Sequence, residues 1–283
     1  MELALALPVP TLDHVVINVR DAMDDAAEIY RRLGFQLTAR GYHTLGSINH
    51  LAMFGTDYLE LVGLPKGATG RADLLQAPPG LNGLVFGTED SAALHAALSQ
   101  AGVPVEPPLE FSRPVDYAGG KRDAVFRTVR LKAGVAPEGR VYFCHHFTRD
   151  LVWRDAWRHH ANGVIAIARA VIASTQPDAT AAVYRRMFGP DALRATGGGH
   201  SLMVGNARFD ILSPAELQRQ FPGACPDAAG RGAYMAALSL RTTSLEKAAR
   251  ALRDGGIAGV TRQDGRLVVA AAHAVNCTLE FVE

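Results

Sequence analysis

Apolar residues follow two periods along this chain, and the periods take turns. Between Leu12 and Val19 they alternate singly. Val15, Ile17 and Val19 share one face of a predicted strand, and Leu12, His14, Val16 and Asn18 share the other. From about Asp21 the period lengthens to that of a helix. Met23, Ala26, Ala27, Tyr30 and Leu33 make one apolar face, with Asp24 and Asp25 in the first turn, Arg31 and Arg32 in the last, and Gly34 as the stop. Three further strands are predicted at Phe35–Thr38, Ile48–Phe54 and Tyr58–Val62, the last two joined by the turn Gly55-Thr56-Asp57. The unit is strand, helix, three strands. Glu60 lies where it can face back at His14, and a buried imidazole opposite a buried carboxylate is half of a metal site.

A second unit follows. Leu81–Thr88 predicts a strand, and Leu94, Ala97, Leu98 and Ala101 a short helix ended by Gly102. Ala124–Leu131 and Arg140–Phe147 read as a hairpin around Gly134 and Gly139. Between helix and hairpin, Pro107–Lys121 reads as a long irregular loop, a length often associated with function. The pattern then repeats. Tyr30-Arg31-Arg32 returns as Tyr184-Arg185-Arg186, and Ala97-Leu98 with Gly102 returns as Ala251-Leu252 with Gly256, both at an offset of 154 residues (30 to 184, 97 to 251). Strands are predicted at Ile165–Ala173, His200–Val204, Ala207–Leu212, Tyr234–Arg241, Arg266–Ala272 and Cys277–Val282. A capping box, Thr243-x-x-Glu246, opens the last helix. The division is 1–151 for the first half, 152–162 for a linker in which Trp153 and Trp157 pack on the junction, and 163–283 for the second half.

Composition narrows the class. A length of 283 residues fits two domains at ~150 residues each. A charged fraction of 20% and a net charge of +1, without blocks of either sign, argue against nucleic-acid binding but allow a small anionic substrate. Three widely spaced cysteines, Cys144, Cys225 and Cys277, form neither a disulfide framework nor a zinc motif and fit a reducing cytoplasm. The apolar N-terminus lacks a basic segment and stops at Pro8. It is too short for a signal peptide or a membrane span and reads as an extended lead-in packed on the body or on a partner subunit.

Four strand–helix–three-strand units, paired two by two, resemble the vicinal oxygen chelate superfamily over nearly the whole chain, and most nearly its glyoxalase-like domain branch. The resemblance rests on Leu12-Asp13-His14, Gly46-Ser47-x-Asn49, Tyr58-Leu59-Glu60-Leu61, and Phe143-Cys144-His145-His146 followed by Leu151-Val152-Trp153. It implies an α+β fold of four βαβββ units in two tandem domains with cupped mixed sheets. It further implies that ligands converge from the first and last strands of paired units. Carried over, the first unit supplies His14 and Glu60. In the second unit Gly83 replaces the histidine, and a count from Gly139 puts Phe143 in place of the acid. His145 then shares the face of Phe143, and His146 faces inward only if the strand ends or bulges. Two histidines and a carboxylate would hold a divalent metal (Fe, Mn, Zn or Ni) with open positions for two substrate oxygens.

Phe143 cannot be a base, so glyoxalase I activity itself is not implied, and proton transfer would fall to His145 or His146. Asn49 and His50 border the same cavity, where Asn49 either holds a substrate carbonyl or bonds a neighbouring backbone group. Tyr117, in the long loop, either closes over a ligand or stays in solvent. The second half keeps acids at Asp210 and Glu280 but places Ala168 and Ala237 at the histidine positions, with Arg169 able to pair with Asp210. Its Gly197-Gly198-Gly199 is not a phosphate loop, and His159, His160, His200 and His273 read as surface or strand-end residues. Two functions fit: a metal-dependent isomerase, lyase or extradiol-type dioxygenase acting on a small oxygen-bearing molecule, or a metal-free protein that binds and sequesters one. The chain would work as a monomer or a homodimer.

Overall fold

Strand β1 (Leu12–Arg20) is buried along nearly its whole length because both of its faces are covered. In the computed structural model, which describes Leu7 and residues 10–283, β1 sits at the middle of an eight-stranded sheet. The other elements of that half are α1 (Met23–Arg32), β2 (Gly41–Tyr42), β3 (Ile48–Met53), β4 (Tyr58–Gly63), α2 (Ala72–Gln76), β5 (Gly80–Gly87), α3 (Ser91–Gln100), β6 (Leu109–Tyr117), β7 (Gly120–Arg130) and β8 (Arg140–His146). Strand order is β2-β3-β4-β1-β5-β8-β7-β6. β1 pairs parallel with β4, β5 parallel with β8, and β1 antiparallel with β5, so two βαβββ units meet along their first strands.

The second half repeats the plan. Its elements are β9 (Val164–Ser174), α4 (Pro177–Phe188), β10 (Leu193–Thr196), β11 (Gly199–Val204), β12 (Ala207–Leu212), α5 (Pro214–Gln220), β13 (Ala233–Thr242), α6 (Leu245–Asp254), β14 (Val260–Gln263), β15 (Arg266–Val269) and β16 (Thr278–Val282). The strand order is β10-β11-β12-β9-β13-β16-β15-β14. The fold is α+β, with four βαβββ units in two mixed sheets.

One face of each sheet lies against helices. Val15, Ile17 and Val19 of β1, with Ala27 and Tyr30 of α1, share a continuous core with Ile172, Tyr184 and Leu252 of the second half. The halves therefore meet helix face to helix face, with Phe86 against Phe188 and Phe209. Tyr184 donates to the buried Glu138 carboxylate at 2.6 Å. Arg32, at the end of α1, donates to the Gly255 and Gly256 carbonyls at the end of α6, and an added Cβ at Gly255 would overlap the Arg32 carbonyl oxygen. The opposite faces look inward on two separate cups, lined by Val16, Leu51, Tyr58 and Phe126 in the first and by Val171, Leu212 and Phe221 in the second.

Several local readings differ from the structure. Phe35–Thr38 is not a strand, and the short β2 comes later, at Gly41–Tyr42. Pro107–Lys121 is largely strand β6 and its hairpin turn, because Leu109–Tyr117 pairs residue for residue with β7 despite Pro114. The cap of α6 is Ser244, accepting from the Lys247 N–H, one residue later than Thr243. Trp153 packs on Tyr58 and His146 at the first cup, not on the junction. Of the apolar lead-in, residues 1–6, 8 and 9 lie outside the described residues. Leu7 donates its N–H to Met187 at 3.2 Å. Among the described residues no helix is long and apolar enough to cross a membrane.

Candidate functional site

His14 is placed by an irregularity. The pairing of β1 with β5 shifts between Leu12 and His14, a bulge centred on Asp13. Leu12 consequently joins the helix-side core while His14 enters the cup. Perfect alternation would put Asp13 and His14 on opposite faces. The bulge instead brings them together, and His14 Nδ1 donates to Asp13 Oδ1 at 2.5 Å. A carboxylate only accepts, so Nδ1 carries a proton toward Asp13 and Nε2 is the ring nitrogen left facing the cup. There Nε2 lies 3.7 Å from Glu60 Oε2 and 3.3 Å from the Tyr142 hydroxyl. Tyr58 stacks on the ring at 4.4 Å.

Glu60 is clamped in turn. Asn49 Nδ2 donates to Glu60 Oε1 at 2.7 Å and reaches His43 Nε2 at 3.3 Å, while His43 Nδ1 meets Ser47 Oγ at 2.9 Å. His43 is the neutral imidazole of this cavity. Burial drives its pKa down to about 4, only partly opposed by Glu60. Asn49 thus spends its one amide nitrogen on side chains and not on a backbone group, and its Oδ1 is buried without a partner among the described residues. Gly41 leaves room for that oxygen, which an added Cβ would overlap.

The register in β8 differs from the sequence count by one residue. Val16 pairs with Glu60 in the first unit, and the equivalent pair in the second unit is Val85 with Tyr142. Tyr142 therefore stands in for the acid, and Phe143 lies in the helix-side core. The inward positions are Tyr142, Cys144 and His146. His145 shares the face of Phe143 and packs on Phe147, away from the cup. His146 does not line the cup. Its Nε2 donates to Asp13 Oδ1 at 3.1 Å, behind His14. Asp13, Cys144 and His146 form a three-residue ligand-type cluster there. Although burial pushes the Asp13 carboxyl up, the adjacent imidazoles of His146 and His14 outweigh it and hold the carboxyl well below the usual carboxylate range.

The remaining expected residues divide. His50 points to the helix side, where Nδ1 meets the Thr38 carbonyl at 2.8 Å, because it alternates with Asn49 and Leu51. Tyr117 is 40% exposed at the hairpin tip, with Arg122 and Arg154 over its ring. His160 and His200 are buried rather than on the surface: His160 bonds the Met53 carbonyl, and His200 bonds Asp178. In the second half Arg169 pairs with Asp210 at 2.5 Å. The residue at the His14 register position there is Arg169, not Ala168, since Arg169 pairs with Arg208 as His14 pairs with Tyr58.

The first cup encloses a cavity of about 50 Å³. Besides His14, His43, Asn49, Glu60 and Tyr142, it is lined by four arginines, Arg71, Arg113, Arg130 and Arg140. None of the four, nor His43, was singled out by sequence motifs. The signal lay in alternation: Arg113, Arg130 and Arg140 occupy inward positions on β6, β7 and β8, in step with Phe111, Thr128 and Tyr142.

The model of a family described as a glyoxalase-like domain matches residues 12–188. A hypothetical protein from Staphylococcus aureus, known from its crystal structure, has a similar fold, with a TM-score of 0.65 and 13% identity, covering 96% of this chain and 98% of its own. A fusion of a xylose isomerase-like TIM barrel with a 4-hydroxyphenylpyruvate dioxygenase gives 0.61 at 13% identity, covering 98% of this chain, which spans only 50% of the fusion's length. A mutant of 4-hydroxymandelate synthase from Streptomyces coelicolor gives 0.59 at 14%, covering 97% of this chain and 92% of its own. At these identities the likeness is one of fold. No curated protein matches the sequence.

Proposed function

The chain belongs to the glyoxalase-like domain family of the vicinal oxygen chelate superfamily, and from that premise we propose that it is a metal-dependent enzyme whose site is the first cup. It would act on a small oxygen-bearing molecule as an isomerase, a lyase or an extradiol-type dioxygenase. The observation that carries this reading is the approach of His14 Nε2 to Glu60 Oε2, 3.7 Å apart in a buried cavity, each fixed from behind by Asp13 and Asn49. Backing of a histidine by a carboxylate is the usual support of a metal ligand.

The donor set proposed for a divalent ion is small. His14, Glu60 and the Tyr142 hydroxyl offer one nitrogen and two oxygens, a set suited to Fe, Mn, Zn or Ni rather than to a thiolate-selective metal. His145 and His146 drop out as partners of His14 in that set, the first by facing outward and the second by lying behind Asp13. When bound, the ion would supply Lewis acidity to polarise substrate oxygens. The protein would do the rest. Asp13 holds the His14 tautomer, Asn49 aims Glu60, and His43, uncharged near neutral pH, is placed to accept a proton beside Glu60. The low pKa of His43 makes it a weak base that needs no deprotonation first.

The second reading is binding and sequestration without catalysis. One observation favours it: among the described residues the three-residue grouping of His, Cys and acid is Asp13–Cys144–His146, which leaves out Glu60 and of which only Cys144 reaches the cup. Metal titration separates the two. Purified protein is expected to bind one of Fe, Mn, Zn or Ni stoichiometrically, with a rise in melting temperature that His14→Ala and Glu60→Gln both abolish. If none of the four binds, the metal-dependent reading fails.

A further inference from the structure

The arginines of the first cup are more than the fold needs. Three stand at inward positions of the adjacent strands β8, β7 and β6, where alternation would ordinarily bury apolar side chains. Arg113 is only 3% exposed. Its Nη2, the Nε of Arg130 and the Nη2 of Arg140 are all buried without a hydrogen-bond partner among the described residues. Arg140 has one neutral partner, Asn82 at 3.1 Å, and among the described residues none of the three forms an ion pair. The fourth, Arg71, is held bidentately by Asp73. Among the described lining residues Glu60 is the one acid, and it is occupied by Asn49.

Taking a guanidinium out of water without a counter-charge is strongly unfavourable. A chain with a net charge of +1 has nonetheless gathered four of its arginines around one small cavity. Burial above all, with a smaller push from neighbouring arginines, drives the guanidinium pKa values of Arg113 and Arg130 down, the direction expected when a buried cation lacks a counter-charge. Guanidinium forks match planar and tetrahedral oxyanions through paired N–H bonds. We propose that the ligand of the first cup carries an anionic oxyacid group, carboxylate or phosphate-type, that completes the bonding of Arg113, Arg130 and Arg140. This inference rests on the cup being the ligand site. It assigns the arginines to substrate charge and leaves His14 and Glu60 for the oxygens at which chemistry takes place.

Glycolate and glycolamide are nearly isosteric and differ by one charge, so they test the proposal directly. Titration of the whole protein, followed by calorimetry and by amide chemical shifts, is expected to show glycolate or inorganic phosphate binding at least tenfold tighter than glycolamide. Preference for glycolate or for phosphate tells which oxyanion the cup takes. Raising the salt concentration should erode that preference. Arg113→Gln is expected to lower oxyanion affinity at least tenfold, to lower glycolamide binding by a much smaller factor, and to melt no lower than the wild type, because it removes an unpaired buried charge. Equal binding of glycolate and glycolamide by the wild type, or no binding of any probe, overturns the proposal without need of a variant. If the cup still binds one of the four metals, only the anion assignment has failed. If neither metal nor oxyanion binds, the reading of the cup as the site falls with it.

Discussion

Asp13→Asn removes one charge and almost no volume from the point where the site is held together. Asp13 is 3% exposed, and its Oδ1 receives both His14 Nδ1 at 2.5 Å and His146 Nε2 at 3.1 Å. Hydrogen bonds to an ionised group contribute ~1.5–3 kcal/mol each, and removing one partner of a buried charged network costs ~3–5 kcal/mol. The amide keeps one acceptor oxygen and recovers part of this, so the expected loss is about 2–3 kcal/mol at pH 7. With a urea slope of roughly 3 kcal/mol per molar, the midpoint should fall by about 1 M. Both tryptophans, Trp153 and Trp157, lie in the segment beside the first cup, and Trp153 touches His146, so fluorescence reads that half.

The pH dependence carries a sign. A carboxyl held below its ordinary value contributes stability that is complete above the unfolded pKa, 3.8, and is lost as pH falls through the lower folded value. The gap between wild type and variant should therefore be flat from neutral pH to about pH 5 and should close only in strong acid. If His14 and Glu60 hold a metal, its affinity in the variant should drop ~10–100-fold, because the imidazole loses its fixed tautomer. A variant within ~0.5 kcal/mol of wild type at pH 7, or a gap that persists unchanged in acid, would refute the role given to Asp13.

Substitutions at two further places test the electrostatics away from the first cup. Burial raises the Asp57 carboxyl to about 7 although it accepts the Ile167 N–H at 2.9 Å, so its charge costs stability increasingly as pH rises from 3.8 to about 7. Asp57→Asn keeps the acceptor and should be more stable than wild type at pH 8, by up to ~4 kcal/mol, with the advantage vanishing near pH 4; a less stable variant at pH 8 rules this out. In the second half, Asp210→Asn strands the buried Arg169 and should cost ~3–5 kcal/mol, whereas the double change Arg169→Met with Asp210→Leu should cost far less, and additive losses in denaturant melts would contradict the pairing.

Much of the architecture was legible because it depends on periods that survive in the bare sequence. The switch from single alternation at Leu12–Val19 to helical spacing at Met23–Leu33 marks β1 and α1, and the repeated Tyr-Arg-Arg marks the second copy. Register was harder to read. A strand shifted by one residue exchanges its faces, and counting from Gly139 chose Phe143 over Tyr142 because the parallel partner of Val85 is not encoded locally. The bulge at Asp13 was invisible for a related reason. It is a property of pairing with β5, and it converts a neighbour in sequence into a hydrogen-bond partner. The arginine cluster is assembled by β6, β7 and β8, and the strand β6 was read as a loop because Pro114 and the glycines near the tip resemble turn chemistry. Pro114 is tolerated there because β6 is an edge strand.

The duplicated half shows how differently the two cups match their buried charges. At equivalent register positions His14, Glu60 and Tyr142 become Arg169, Asp210 and Glu280. In the second cup Asp210 meets Arg169, and Glu280 meets Arg266 and the Ser239 hydroxyl. Gln220 takes a second nitrogen of Arg169. Cation and acid are matched locally, and such a network supports the sheet without needing a visitor. In the first cup the matching is broken in a consistent direction. The single lining acid is shared with Asn49 and a histidine, while Arg113, Arg130 and Arg140 keep unfilled donors inside the protein. The same scaffold and the same inward positions thus yield one closed network and one with excess positive charge. Selection for stability alone would have closed both, and under the proposal made above the imbalance in the first cup is capacity held for an anionic ligand.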